Sequence, residues 1–496
     1  MFLKERSGKM KNMQKVSQYL SKVFTFSALA FILSLITISF LGVYFLGDTV
    51  TYMQFGSMGS PLTTFIQHDG LWPPLFALLY NVANHLPISP FLLASLWVSA
   101  TLSVYILLAT LFVHQMGIKK GQALALVTLC ITGPLTLVLQ SYISEPLTLL
   151  LWLATLYATV QFWKTSQEKW LVLWLIVAAL LPMSRWLGAL VTLWFSGWIF
   201  LKLLLDLKKA KKPTYSPWLV LLILATVWVP IGLYLFRTKV LIGSFFPLRD
   251  AQLRSASEIA VRYAQEIMFG AGLATVAAFL LGLGSKIKTT AFHKVTAMLT
   301  FGSGALYLAG LLFSESHYFI VPHIPSRFVG LSFPFIILTA FMVGILCQKF
   351  APTKMKPWLR VAGAVLGSIV ILGALATSIS RLKAETASPE PLYTYAGWTG
   401  DSANYCRPNT NLIYHVHTRN WGAHSLDYLC KTATVVTTPT HFSVEQGATV
   451  ISPYEIENLE LTDTFTLNEY VTYIYTATQS ATIDVEKLFS NRSVFQ

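Results

Sequence analysis

The sequence predicts a mainly α, polytopic membrane protein of about eleven transmembrane helices (residues 23–380), followed by a small external C-terminal α/β or β domain (residues 381–496). Three observations predict it. Apolar residues make up 54% of the 496-residue chain, charged residues only 12%, and mean hydropathy is +0.58, values outside the range of a soluble domain this long. Apolar runs of the roughly 20 residues needed to cross about 30 Å of hydrocarbon recur along the chain. The net charge of +14 is concentrated in alternate loops, which marks membrane orientation rather than a nucleic-acid surface.

In chain order, residues 1–22 carry Lys4, Arg6, Lys9, Lys11, Lys15 and Lys22 against Glu5 alone, and such a segment stays in the cytoplasm. The first run, residues 23–46, exceeds a signal-peptide core and lacks a small-residue cleavage site, so it reads as a signal anchor. The first external loop, residues 48–89, contains Asp48, Tyr52, His68, Asp69 and Trp72. Its apolar stretch 73–87 makes only about 22 Å of helix, too short to cross, and reads as a juxtamembrane helix.

Further spans are expected at 90–113, 121–142, 146–163, 170–184, 188–205, 217–236, 267–284, 295–313, 328–347 and 358–379. With that alternation, Lys164/Lys169, Lys208–Lys212, Lys286/Lys288/Lys294 and Lys349/Lys354/Lys356 fall on the cytoplasmic side. All acids except Glu5, Glu168 and Asp206 fall outside. A single misassigned span would invert every later loop and destroy that segregation. Residues 237–266 form a long amphipathic external loop without a spanning run.

After Ser380 the composition turns polar, and LIYHVHT, ATVVTTPT and YVTYIYTAT alternate as strands do. Cys130 and Cys347 sit in apolar spans as small core residues. Cys406 and Cys430 share the external domain; they are a disulfide candidate contributing about 3 kcal/mol, or two unpaired thiols. His415 and His417 alternate on one strand face, without the tight ligand spacing of a metal centre.

Polar residues recur at external span ends: the first-loop set, then Ser144 and Glu145, then Ser184 and Arg185, and later Glu315, His317, His323 and Arg327. Any one of them has an ordinary role open to it, Asp48 as a helix cap and Arg185 or Arg327 as interface anchors. Their recurrence at one depth points to a site at the outer headgroup level, because interfacial and intramembrane charge is costly to keep without use.

The motifs GDTVTY after the first span, WPPLF opening the surface helix, SEPLTLLL, SRWLG and SRFVGLSFPF occur in that order. Together they resemble the membrane glycosyltransferases of the GT-C type, in the branch of protein O-mannosyltransferases and lipid A aminoarabinose transferases. Thr49 stands where the family often has a second adjacent acid, and Phe328 where a Tyr often follows the late Arg.

The resemblance implies a transferase that moves a sugar, with inversion, from a polyprenyl-phosphate donor to an extracytoplasmic acceptor, which would be a protein, a lipid or a polysaccharide. It implies Asp48 as general base and Glu145 as a second acid that orients the acceptor, binds sugar hydroxyls or helps hold a divalent metal. Arg185 and Arg327, with His323, would bind the donor phosphate, and Tyr52, His68, Asp69 and Trp72 the sugar or acceptor. No other cofactor follows. The expected partners are the lipid-linked sugar, the acceptor and membrane lipids, with no nucleic acid. The expected location is the cell's plasma or inner membrane. The alternatives are a lipid or sugar transporter or flippase, which would bury charges mid-span, and a non-catalytic envelope assembly protein.

Overall fold

The computed structural model describes residues 73–86, 90–118, 120–130, 144–209, 217–242, 255–317, 325–387, 409–413, 434–436, 441–452, 454–467 and 470–490, with a few positions in 25–33 and 60–65. The chain is mainly helical. The helices are α1 (Leu75–Asn84), α2 (Pro90–Gln115), α3 (Lys120–Leu129), α4 (Ser144–Thr165), α5 (Glu168–Ser184), α6 (Gly188–Lys209) and α7 (Pro217–Ile242). There follow α8 (Ala256–Ile267), a π-turn (Met268–Gly272), α9 (Leu273–Leu283), α10 (Ala291–His317), α11 (Pro325–Gly330), α12 (Phe333–Cys347) and α13 (Lys356–Ala387). Among the described residues seven stretches are long and apolar enough to cross a membrane: α2, α4, α6, α8–α9, α10, α11–α12 and α13.

The expected spans 170–184 and 217–236 are helical as α5 and α7. The juxtamembrane stretch is α1, which packs on α4 and α5. The stretch read as an external loop, 237–266, differs from expectation: α7 runs on to Ile242, and α8 continues through the π-turn into α9. Ser255 caps α8 by accepting from the Glu258 amide at 3.2 Å, and Ile259 and Tyr263, one turn apart, are its buried face.

An apolar helix surrounded by other helices must satisfy every polar group internally. Thr148, Thr155 and Thr159 on α4 donate to the carbonyls of Ser144, Leu151 and Thr155 at 2.7–2.9 Å. Pro182 inside α5 has no N–H for the Ala178 carbonyl, and the Thr192 hydroxyl of α6 donates to that carbonyl instead, at 3.0 Å. The bundle core is aromatic and aliphatic. Trp152 stacks on Phe335 at 3.9 Å between centroids and leans on Tyr307 at 5.1 Å, joining α4, α10 and α12.

Helix α9 is clasped between α12 and α13 by glycines. A Cβ added at Gly282 would lie 2.2 Å from the Phe341 carbonyl oxygen, and one at Gly344 2.3 Å from that of Phe279. Gly363 meets the backbone of Leu281 and Ala277, and Gly284 the backbone of Lys356 and Arg360, at 2.8–3.0 Å. Only glycine permits such backbone approach. In a bundle without a hydrophobic drive between helices, close packing of this kind supplies the adhesion.

Helix ends sort into two faces. On one, His293 Nε2 meets the Met116 carbonyl at 3.3 Å and Lys164 lies over Phe292 at 5.5 Å. On the same face the Lys202–Asp206 pair joins Ser166, and the Gln348 amide donates to Thr289 Oγ1 at 3.2 Å. The starts of α5, α10 and α13 and the ends of α4, α6, α9 and α12 therefore share this face, together with the lysines of their loops. The opposite face holds Glu145, Arg185, Tyr234, Glu315 and Phe328. Among the described residues, Lys164, Lys202, Lys286 and Lys349 thus belong to the first face, and the buried acids Glu145 and Glu315 to the second.

Beyond α13 a five-stranded sheet has the order β2-β1-β4-β6-β5, from β1 (Thr410–Ile413), β2 (Thr434–Val436), β4 (Thr449–Ser452), β5 (Glu460–Leu467) and β6 (Tyr470–Thr476). β1 is parallel to β2 and β4, whereas β6 is antiparallel to β4 and β5. β3 (His441–Val444) and β7 (Ala481–Asp484) pair separately, and α14 (Val485–Ser490) closes the unit. Ile413, Val450, Tyr475 and Ile483 lie in its core. β2 and β6 fall in the alternating stretches read from sequence and β1 overlaps the first of them, whereas β3, β4, β5 and β7 lie outside those three stretches; the sheet is mixed, with parallel and antiparallel pairs. Cys406, Cys430, His415 and His417 lie outside the described residues.

Candidate functional site

The site grows from the turn between α5 and α6. Helix α5 ends at Ser184, whose hydroxyl donates back to the Leu181 carbonyl at 2.7 Å, and Arg185 turns the backbone to extended geometry. Gly188 closes the turn by donating to the Arg185 carbonyl at 2.8 Å, and a Cβ there would sit 2.5 Å from the Leu181 oxygen. The SRWLG motif thus has a local cause. Its glycine lets α6 start against α5, which leaves Arg185 on the shared corner.

From that corner Arg185 Nη1 reaches Glu145 Oε1 at 2.6 Å. Glu145 lies in the first turn of α4, with a completely buried side chain, while Arg185 is 15% exposed. Ser144 Oγ donates to the second carboxylate oxygen at 3.2 Å, and Thr148 donates to Ser184 Oγ at 3.0 Å. The guanidinium also lies over the Phe328 ring, 4.3 Å from its centroid. The carboxylate and the ring fix the plane of the guanidinium between them. Phe328 belongs to α11, directly after Arg327, so the backbone of the SRFVG motif lies beside the α4–α5 corner.

The same face carries an aromatic cluster and a second buried acid. Trp186 stacks on Tyr234 at 5.6 Å, and Phe65, from the segment before α1, packs on that Tyr234 ring at 5.5 Å. At the end of α10, Glu315 lies within electrostatic reach of Tyr263 on α8. Glu145 and Glu315 stand seven and eight residues beyond the Trp152–Tyr307 contact, which brings the two carboxylates to one depth. Sequence reasoning placed Glu315 among the outer polar residues, but the partnership with Tyr263 depends on α8, which was read as loop.

The structure therefore brings together Glu145 and Arg185, and it sets Arg327's helix next to them. Asp48, Tyr52, His68, Asp69, Trp72, His323 and the side chain of Arg327 lie outside the described residues. Among the described residues no group of three or more His, Cys, Asp or Glu side chains is arranged to hold a metal. The buried Glu145 is committed to Arg185 and Ser144. Such a pair can present a positive group, oriented and partly dehydrated, to an anion arriving from that face. No family model matches the chain, and no curated protein matches it in sequence.

Proposed function

We propose that the chain is a membrane glycosyltransferase that moves a sugar from a polyprenyl-phosphate donor to an acceptor on the extracytoplasmic side, inverting the anomeric centre. The observation that carries this reading is the Arg185 guanidinium, held between buried Glu145 and the Phe328 ring at one end of the bundle. In this reading the Lys-rich face is cytoplasmic, eleven helices cross the membrane, and residues 388–496 form an external domain.

Asp48 removes the proton from the acceptor hydroxyl, whose oxygen attacks the anomeric carbon. The bond from that carbon to the phosphate oxygen breaks, and its electron pair leaves on the lipid phosphate. A phosphate is a weak base and needs no proton to depart. It does need cations to stabilise the growing charge, the role of Arg185 and Arg327, with His323 beside them. Glu145 acts through Arg185, fixing its direction, a positioning role different from the three open to it from sequence. Tyr52, His68, Asp69 and Trp72 contact sugar or acceptor from the first loop.

Mass spectrometry of envelope glycans tests this. Cells lacking the chain lose a glycan modification that wild type restores and Asp48→Asn, folded and inserted, does not. Full restoration by Asp48→Asn would remove Asp48 as the base. Accumulation of unflipped lipid-linked sugar, with transfer chemistry intact, would establish the flippase alternative instead.

A further inference from the structure

The face opposite the candidate site carries a charge imbalance that topology alone does not require to be gathered in one place. Between residues 267 and 384 the chain has one acid, Glu315, and it sits at the far end of α10. In that interval Lys286, Lys288, Lys349, Lys354, Lys356 and Arg360 all lie where α9, α12 and α13 meet. The glycine clasp draws them together, since Gly284 lies against the backbone of Lys356 and Arg360. Gln348 then ties the α9–α10 loop to the end of α12 through the Ile287 carbonyl and Thr289, and Thr289 Oγ1 donates to the Ile345 carbonyl at 3.3 Å. On this face the acids Glu168 and Asp206 belong to α5 and α6, and Asp206 is paired with Lys202.

The flanks of this cluster are apolar and exposed. Phe350 and Trp358 are each 75% exposed, and Lys349 lies over the Phe350 ring at 4.7 Å. From Trp358 an exposed stripe runs up α13 through Val361, Val365, Ile369 and Leu372. From Trp358 to Leu372 the fourteen steps rise about 21 Å along the helix, more than the roughly 15 Å of one leaflet's hydrocarbon and so long enough for an acyl chain to follow. Cations at headgroup level, aromatic rings at the interface and an apolar track beneath them match one amphiphile.

We propose that the end of the α9–α12–α13 clasp is a binding site for an anionic phospholipid, with the phosphodiester among Lys288, Lys349 and Lys354 and an acyl chain along the Trp358–Leu372 stripe. The segments that carry the cations are bonded to one another through Gln348 and Thr289, which keeps them together at one end of the bundle. This inference does not rest on the proposed transferase activity.

Native mass spectrometry of the full chain, purified in neutral detergent with equal amounts of phosphatidylglycerol and phosphatidylcholine of identical chains, tests it. Wild type retains phosphatidylglycerol in preference, by at least about tenfold. The exposed-residue variant Lys288→Gln/Lys349→Gln/Lys354→Gln loses that preference while keeping the wild-type helical signal. The control Lys164→Gln/Lys169→Gln, on the same face but off the clasp, keeps it. Equal retention of the two lipids by wild type overturns the proposal, as does equal loss in both variants, which would mean net charge alone. A dimer with no bound phospholipid would assign the stripe to a second copy of the chain and also overturn it.

Discussion

Removing either partner of the Glu145–Arg185 pair leaves the other charge buried, and the cost can be estimated. With nitrogen and oxygen 2.6 Å apart, the charge centres stand about 4 Å apart and attract by about 4 kcal/mol at an effective dielectric of 20. Desolvation offsets much of this in the intact protein, but a buried charge deprived of its ion-pair partner keeps that cost without that attraction, typically about 3–5 kcal/mol. Glu145→Gln, which keeps shape and one acceptor, should destabilise by about 3 kcal/mol. Arg185→Met also forfeits the contact with Phe328 and should cost about 4 kcal/mol. The double variant should cost about 4 kcal/mol rather than about 7, a coupling near 3 kcal/mol. Reversible unfolding in mixed micelles, titrated with SDS and followed by circular dichroism, measures each corner of the cycle. Additivity within about 0.5 kcal/mol would refute the pairing as an energetic unit.

Other perturbations test the packing, the external unit and the orientation. Gly344→Ala or Gly282→Ala should each cost about 1–3 kcal/mol or more in the same assay, because the new Cβ meets backbone. Gly197→Ala, with nothing within 4 Å of the added carbon, should be near neutral. In the C-terminal sheet the Tyr473 phenol is pushed up by partial burial and by Glu455, which accepts its hydroxyl at 3.0 Å, and burial raises Tyr475 as well. A raised folded value means the neutral phenols favour the fold. Their contribution is complete below the ordinary value of about 10 and declines as pH climbs through the folded values. Absorbance of tyrosinate in the full chain should therefore show a late-titrating step that Tyr473→Phe reduces; an unchanged curve would contradict it. In a variant with its four cysteines replaced, Lys288→Cys should label only from the cytoplasmic side and Ser257→Cys only from outside, and the reverse pattern would invert the proposed orientation.

Much of the bundle could be read from composition and charge, since Lys164, Lys286 and Lys349 mark one face as plainly as Glu145 and Arg185 mark the other. What could not be read is rotation. Helix α4 is apolar all round and almost wholly buried, so no periodicity announced that Glu145 turns toward α5. The clasp was hidden for a related reason, as Gly282 and Gly344 look like any glycine in an apolar run until the neighbouring backbone is seen. Helix α8 is not evident from sequence because Glu258, Arg262 and Glu266 interrupt its apolar residues and the strong apolar run begins only after it, although Ile259 and Tyr263 carry a one-turn apolar period. Helix α13 continues to Ala387, past the change of composition at Ser380, because the polar residues Arg381, Lys383 and Glu385 end the apolar run without ending the helix.

The glycine clasp also imposes an order on biosynthesis. Gly282 leaves the ribosome roughly sixty residues before Gly344 and eighty before Gly363, with α10 threaded across the bilayer in between. During that interval α9 has neither of its two glycine-fitted backbone partners. Helix α9 must therefore enter the membrane as an independent apolar segment and wait there. The third member of the triad, α13, locks the arrangement only after the last span has been synthesised, so a chain truncated before Gly363 would carry every earlier helix and still lack its fastening.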